Sequence, residues 1–228
     1  MQLHYGKNEV KYFLDSENYR ENYNEHFIYV KNKFISEDVA DILLKKLEVL
    51  DDNLEKGRVI SYTAKESAES NFRDSSISWV KEDDFFNTLK TENEEILQKF
   101  TKVNDNIFQL DIDSLMRLQY TTYSVGEHFN WHPDGPFSIH NLSGKEIPQN
   151  LKYRKLSMSI CLSRKEDYDG GEFCIVLPNR DIANIGEMYK MDYGDAIIFP
   201  AFCSHKVNAV TRGMRKSLVY WFCGPRWR

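Results

Sequence analysis

Cysteine is scarce: four residues in 228, at 161, 174, 203 and 223, and none forms a CxxC pair. Three of the four fall in strand-like runs, where a free thiol acts as a small apolar side chain. Reduced, structural thiols and a cytoplasmic setting are therefore expected. No run of about 18 apolar residues occurs, so no membrane-spanning helix is expected. The opening MQLHYGKNEVKYFLD has no apolar core of signal-peptide length, so a soluble, unexported chain is expected. A basic stripe is also missing. Lys and Arg number 30 against 35 Asp and Glu, a net charge of −5. Phosphate contacts supply most nucleic-acid affinity, so this balance argues against a nucleic-acid partner and leaves a peptide or a small molecule open.

What is present suffices for one hydrophobic core, since 41% of residues are apolar and 14% aromatic. A strand is expected over His26–Phe34. Ser36 then has the position of a helix N-cap, with Glu37 and Asp38 in the first turn. Val39, Ile42, Leu43, Leu47 and Leu50 follow at helical spacing, giving an amphipathic helix of about four turns. A second helix is predicted over Asp84–Val103. Between them, residues 64–76 (AKESAESNFRDSS) are small and polar and read as an exposed loop.

From residue 106 the pattern changes to short β-type runs: NIFQLDI, LMRLQYTTYS, KLSMSICLS, EFCIVL, DAIIFP and KSLVYWFCG. Leu156, Met158, Ile160 and Leu162 alternate with Ser157, Ser159, Cys161 and Ser163, a period of two. Helices first and strands after predict an α+β fold, a β-sandwich or open barrel buttressed by N-terminal helices. The expected organisation is one domain over 1–228, with a mainly helical flank at 1–105 and a β core carrying the site at 106–228. The connection 135–153 is long for a hairpin, and long loops in compact domains are often functional.

The chain has six histidines. His132-Pro133-Asp134 stands out, because residues i and i+2 of an extended backbone point to one face and can converge on one ion. His205 follows a strand-like run far downstream. Two imidazoles and one carboxylate leave open the positions that a non-haem iron(II) oxygenase needs. Against this, an HxD pair also arises by chance. A helical zinc site at His128 and His132 is opposed by Gly126, Asn130, Pro133 and Gly135. Ten residues past His205 comes Arg215, which shares a face with Ser217. A guanidinium clamps a carboxylate through paired hydrogen bonds. Arg215 and Ser217 are thus a seat for the distal carboxylate of a 2-oxo diacid, or else a solvated charge at a strand end.

Three blocks carry a resemblance: YSVGEHFNWHPDG, RKLSMSICLSRKEDYDGGEF and GDAIIFPAFCSHKVNAVTRGMRKSLVYWF. In this order over 120–223, the chain resembles the prolyl 4-hydroxylase-like branch of the 2-oxoglutarate/iron(II) dioxygenases, including the PKHD-type hydroxylases. The resemblance implies a double-stranded β-helix, a jelly roll of the cupin-like kind. It implies His132, Asp134 and His205 as iron ligands, Arg215 as the partner of the 2-oxoglutarate C5-carboxylate, and Tyr123 as a lining residue of the cosubstrate pocket. The paired Gly170 and Gly171 suit a tight turn beside the site.

The implied cofactors are Fe(II), 2-oxoglutarate and O₂, with ascorbate as a further reductant. The implied activity is hydroxylation of an unactivated C–H bond, foremost in a prolyl residue of a peptide or protein, with release of succinate and CO₂. Two alternatives stand beside it: a hydroxylase of a free amino acid or other small molecule, and a non-catalytic jelly-roll binding module. The nucleic-acid demethylases that share the HxD…H frame carry a second arginine soon after the first. Trp221 and Phe222 occupy that region here.

Overall fold

The computed structural model describes residues 28–49, 54–57, 72–81, 84–135, 152–176 and 187–225. Strand β1 (Tyr29–Lys31) is shorter than the run suggested. Helix α1 (Glu37–Glu48) starts where the cap predicts, since the Val39 amide donates to Ser36 Oγ at 3.3 Å. Its apolar stripe buries Ala40, Leu43 and Leu47.

The second predicted helix is real but not continuous. A π-helical turn, Asp84–Thr88, precedes helix α2 (Lys90–Val103), and a second π turn, Asn104–Phe108, extends it. The run 106–112, expected as strand-like, therefore begins inside a helical end. The cause is local: Asn104 carries the exit, its Nδ2 donating to the Leu110 carbonyl at 2.9 Å while its Oδ1 accepts from the Leu110 amide. Gln109 adopts the left-handed conformation, with φ 51°, and this lets the chain turn away from the helix axis.

The segment before residue 105, expected as mainly helical, also supplies strands β2 (Glu55–Lys56), β3 (Arg73–Asp74) and β4 (Ser76–Trp79). Residues 72–76, the end of the expected 64–76 loop, are thus largely strand; residues 64–71 lie outside the described residues.

The remaining strands are β5 (Ser114–Leu115), β6 (Gln119–Tyr123), β7 (His128–His132), β8 (Tyr153–Cys161), β9 (Tyr168–Gly170), β10 (Phe173–Ile175), β11 (Glu187–Tyr189), β12 (Ala196–Pro200), β13 (His205–Val207), β14 (Val210–Gly213) and β15 (Arg215–Gly224). The large sheet runs β1-β12-β8-β15-β6-β4-β2, with β5 also on β15. A second sheet runs β11-β10-β13-β7-β3, and β14 pairs with β9. Every ladder in both sheets is antiparallel. This is the expected α+β jelly-roll core.

The period of two in β8 and β15 divides the molecule into two interiors. Leu156, Met158 and Ile160 of β8 and Leu218, Tyr220 and Phe222 of β15 pack with Leu43, Leu47, Ile96 and Phe100 of the helices. Phe100 stacks on Phe222, and Tyr220 donates to Asn93 Oδ1 at 2.7 Å. Each such buried aliphatic side chain contributes roughly 1.5–3 kcal/mol. The alternate residues face the other sheet, where Tyr123, Phe173, Ile197, Phe199, Cys203 and Val207 form a smaller cluster. The site lies between the sheets.

Candidate metal centre

Chain direction and register bring the three predicted side chains together. His132 ends β7 and His205 opens β13, and the two are cross-strand partners. Asp134 lies two residues beyond His132, its amide donating to the Ala201 carbonyl at 2.9 Å, so it too faces the entry to β13. One potential ligand atom from each of His132, Asp134 and His205 lies within 4.8 Å of the others, with His205 Nε2 3.5 Å from Asp134 Oδ2.

Both imidazoles are held by their other nitrogen. His132 Nδ1 is 2.7 Å from the Asn130 carbonyl, and His205 Nδ1 is 3.0 Å from the Cys203 carbonyl. A carbonyl only accepts, so each Nδ1 carries a proton and each Nε2 is the nitrogen left to meet a metal, the arrangement of a metal-ligating histidine. Ser157 Oγ donates to Asp134 Oδ2 at 2.7 Å, and Arg154 Nη1 donates to the Asp134 carbonyl at 3.1 Å. Phe129 stacks on His132 and Phe173 on His205.

The charges suit a cation. Burial, then the neighbouring His205 ring, pushes His132 down from 6.5 to about 3, which keeps it neutral. Burial alone would raise Asp134; the two imidazoles, Arg154 and the Ser157 hydroxyl outweigh it and hold the carboxyl low. A neutral His132 imidazole beside an ionised carboxylate and a second imidazole is a donor set for a divalent ion.

Along the inner face of β15, Arg215, Ser217, Val219 and Trp221 stand in line. They are registered against Tyr123, Thr121 and Gln119 of β6 on one side, and against Cys161, Ser159 and Ser157 of β8 on the other. All but Cys161 line a partly open cleft that also contains the His-Asp-His cluster. Arg215 is 1% exposed. Its Nη1 donates to Ser217 Oγ at 3.2 Å, while Nε and Nη2 are buried with no hydrogen-bond partner among the described residues. Tyr123 is its cross-strand neighbour, with the guanidinium carbon 5.7 Å from the ring centre. Gly170 and Gly171 have positive φ (71° and 63°). A Cβ on Gly171 would sit 3.1 Å from Arg215 Cδ, so glycine there leaves the arginine its channel.

Residues 118–223, just under half of the chain, match the profile of the 2OG-Fe(II) oxygenase superfamily. Over these residues the chain is similar to that superfamily. A PKHD-type hydroxylase of Janthinobacterium sp. (strain Marseille) is 38% identical over 103 residues, 45% of this chain and 41% of the relative. Another, from Herminiimonas arsenicoxydans, is 37% identical over the same share of both chains. The chain thus spans well under half the length of these curated relatives.

Among solved structures, a Pseudomonas putida prolyl-4-hydroxylase superposes with TM-score 0.64 at 16% identity, covering 90% of this chain and 97% of that one. A Trichoplax adhaerens prolyl hydroxylase, solved with a hypoxia inducible factor oxygen degradation domain peptide fragment, superposes with TM-score 0.63 at 15% identity over 93% of each chain. These neighbours share the double-stranded β-helix fold of this core.

Several lining residues went unpredicted. Ser157 and Trp221 were legible, since each continues a period of two through a residue already singled out. Arg73 was not: its segment reads as loop, yet it is a buried strand residue in the cleft. Burial pushes its guanidinium below the usual arginine range, opposed by Tyr123 and Asp134. Most of the 135–153 connection, residues 136–151, lies outside the described residues.

Proposed function

We propose that this protein is a 2-oxoglutarate- and Fe(II)-dependent dioxygenase that hydroxylates an unactivated C–H bond, foremost in a prolyl residue of a peptide or protein. The observation that carries the reading is the pairing of two sites on one wall. Three convergent ligand atoms from His132, Asp134 and His205 stand in the cleft that also holds Arg215, a buried guanidinium with two partnerless nitrogens. Partnerless buried donors cost about 1–3 kcal/mol unless something meets them. A carboxylate is the group whose geometry meets a guanidinium edge.

In this reading His132, Asp134 and His205 hold the iron. Arg215, with Ser217 and Tyr123 beside it, takes the distal carboxylate of 2-oxoglutarate. The bound iron supplies oxygen activation coupled to breakdown of 2-oxoglutarate to succinate and CO₂, with one oxygen atom inserted into the substrate. The protein's share is positioning. The Asn130 and Cys203 carbonyls fix the two imidazoles, Ser157 orients the Asp134 carboxylate, and Phe129, Phe173 and Phe199 keep water from the metal face. No side chain acts as a general base. Ascorbate as a reductant of the iron, and a reducing cytoplasmic setting, belong to the same proposal; four free, buried thiols support the latter.

The experiment is an anaerobic titration of the metal-free protein with Fe(II) and 2-oxoglutarate, followed by air. A visible charge-transfer band that needs both, and then succinate, is the expected result. Proline-containing peptides are then searched by mass spectrometry for the gain of one oxygen atom. Absence of both the band and succinate overturns the reading.

A further inference from the structure

We propose that Arg73 is the substrate-recognition residue of this site, and that the molecule it selects presents a carboxylate to it beside the reacting C–H bond. The inference rests on the oxygenase reading above and deepens it.

Arg73 is 9% exposed and lines the same cleft as the His-Asp-His cluster. It is held there firmly. Nε donates to Ser75 Oγ at 2.8 Å, Nη2 donates to Gln119 Oε1 at 3.1 Å, and the guanidinium lies 4.3 Å from the centre of the Phe129 ring. Gly57 makes room for it, because a Cβ there would stand 2.5 Å from Nε. Two of its N–H groups are thus used, both by neutral acceptors. Among the described residues no carboxylate pairs with it. A buried arginine without a counter-ion is costly, and the fork it presents fits a planar carboxylate.

Arg73 does not duplicate Arg215. It bonds Gln119, which is registered with Val219, whereas Arg215 is registered with Tyr123. From Arg215 to Val219 is roughly 13 Å along an extended strand. One short diacid bound at Arg215 and at the metal leaves Arg73 free for a second anion.

The charge in the cleft agrees. A divalent ion and a dianionic 2-oxoglutarate cancel, and Asp134 balances one of the two lining arginines. One positive charge remains, matching a single carboxylate. Arg154 is not one of the lining residues; it donates to the Asp134 carbonyl and lies 4.1 Å from the Trp221 ring centre. The buried Trp221 Nε1 is a further lining donor, with no partner among the described residues. This basic mouth belongs to a chain of net charge −5, so it is local to the site.

The test uses matched probes differing only in that charge: L-proline and L-prolinamide, N-acetyl-L-proline and its amide, and a proline peptide with Glu or Gln beside the proline. Fe(II)-loaded protein saturated with 2-oxoglutarate is assayed for succinate with each. Zn(II)-loaded protein with 2-oxoglutarate is followed by thermal shift, which needs no turnover. In at least one pair the carboxylate should be preferred roughly ten- to a hundredfold, the scale of a charge-assisted hydrogen-bond pair. The pair that responds tells whether the carboxylate belongs to a free amino acid, a chain terminus or a side chain.

Arg73→Gln should abolish the preference and Arg73→Lys should keep part of it. A purely structural role, clamping Phe129 over His132, would change metal affinity but not the carboxylate-to-amide ratio. Three results overturn the proposal: equal response within every pair, no response to any probe, or a preference that survives Arg73→Gln. Protein that neither binds Fe(II) nor consumes 2-oxoglutarate sinks the oxygenase reading itself, and the proposal with it.

Discussion

His132 and His205 are cross-strand neighbours, registered opposite one another on β7 and β13 with ring centres 4.2 Å apart. Residues distant in the chain are thereby fixed by backbone ladder bonds, not by the metal they are suited to hold.

That arrangement makes the ligands separable from folding. His132→Ala and Asp134→Ala should each abolish turnover and weaken divalent-metal binding by at least about 100-fold, while far-UV circular dichroism stays at the wild-type level. Calorimetric titration with Mn(II) checks the affinity. Wild-type affinity in either variant removes that residue from the ligand set.

Arg215 sets function against stability. Replacing it by Met removes two partnerless buried nitrogens, so the metal-free Arg215→Met protein should melt no lower than wild type. The same change should raise the 2-oxoglutarate KM by about ten- to a hundredfold or more. It should also cancel the thermal shift that 2-oxoglutarate gives the metal-loaded protein. Melting curves with and without 2-oxoglutarate read both effects.

Ser157 orients the Asp134 carboxylate through a 2.7 Å hydrogen bond. Ser157→Ala should lower metal affinity about 10–100-fold with little change in the melting temperature of the metal-free protein. Ser159 lies two residues along the same strand and serves as the control. Ser159→Ala should leave metal affinity unchanged.

The pH dependence follows from His132. Its folded value, about 3, lies below the ordinary 6.5, so the unfolded chain takes up a proton that the folded chain refuses. Stability from the neutral imidazole is complete above 6.5 and is lost as pH falls from there toward 3. Metal-free protein should therefore melt at progressively lower temperature from about pH 7 to about pH 5, and His132→Asn should flatten that slope. An unchanged slope in His132→Asn would assign the acid sensitivity elsewhere.

Much of the site was legible because strands have a short period. His132 with Asp134, and Arg215 with Ser217, each span two residues, so a shared face follows from extended backbone alone. The serine stripe of β8 was visible as a pattern, but its meaning needed the partner sheet, which shows that the polar face turns inward. Arg73 was hidden because β3 is two residues long and its neighbours in AKESAESNFRDSS are small and polar. Its strand character comes from pairing with Phe129 and His128, a contact so distant in the chain that no local pattern encodes it. The π turn at Asn104–Phe108 was missed for the opposite reason. Asn106, Ile107 and Phe108 are acceptable strand residues, and one side chain, Asn104, decides the matter through its two bonds to Leu110.

Strand β15 presents Arg215, Ser217 and Trp221 to one interior and Leu218, Tyr220 and Phe222 to the other. Inserting or deleting a single residue near its start would exchange the two sets, driving a guanidinium into the helix-packed core and aliphatic groups into the cleft. This stretch can therefore vary by substitution but not by length. Variation that retunes what the protein acts upon has its free ground elsewhere, at the edge strand β3, where the sheet ends and Arg73 stands.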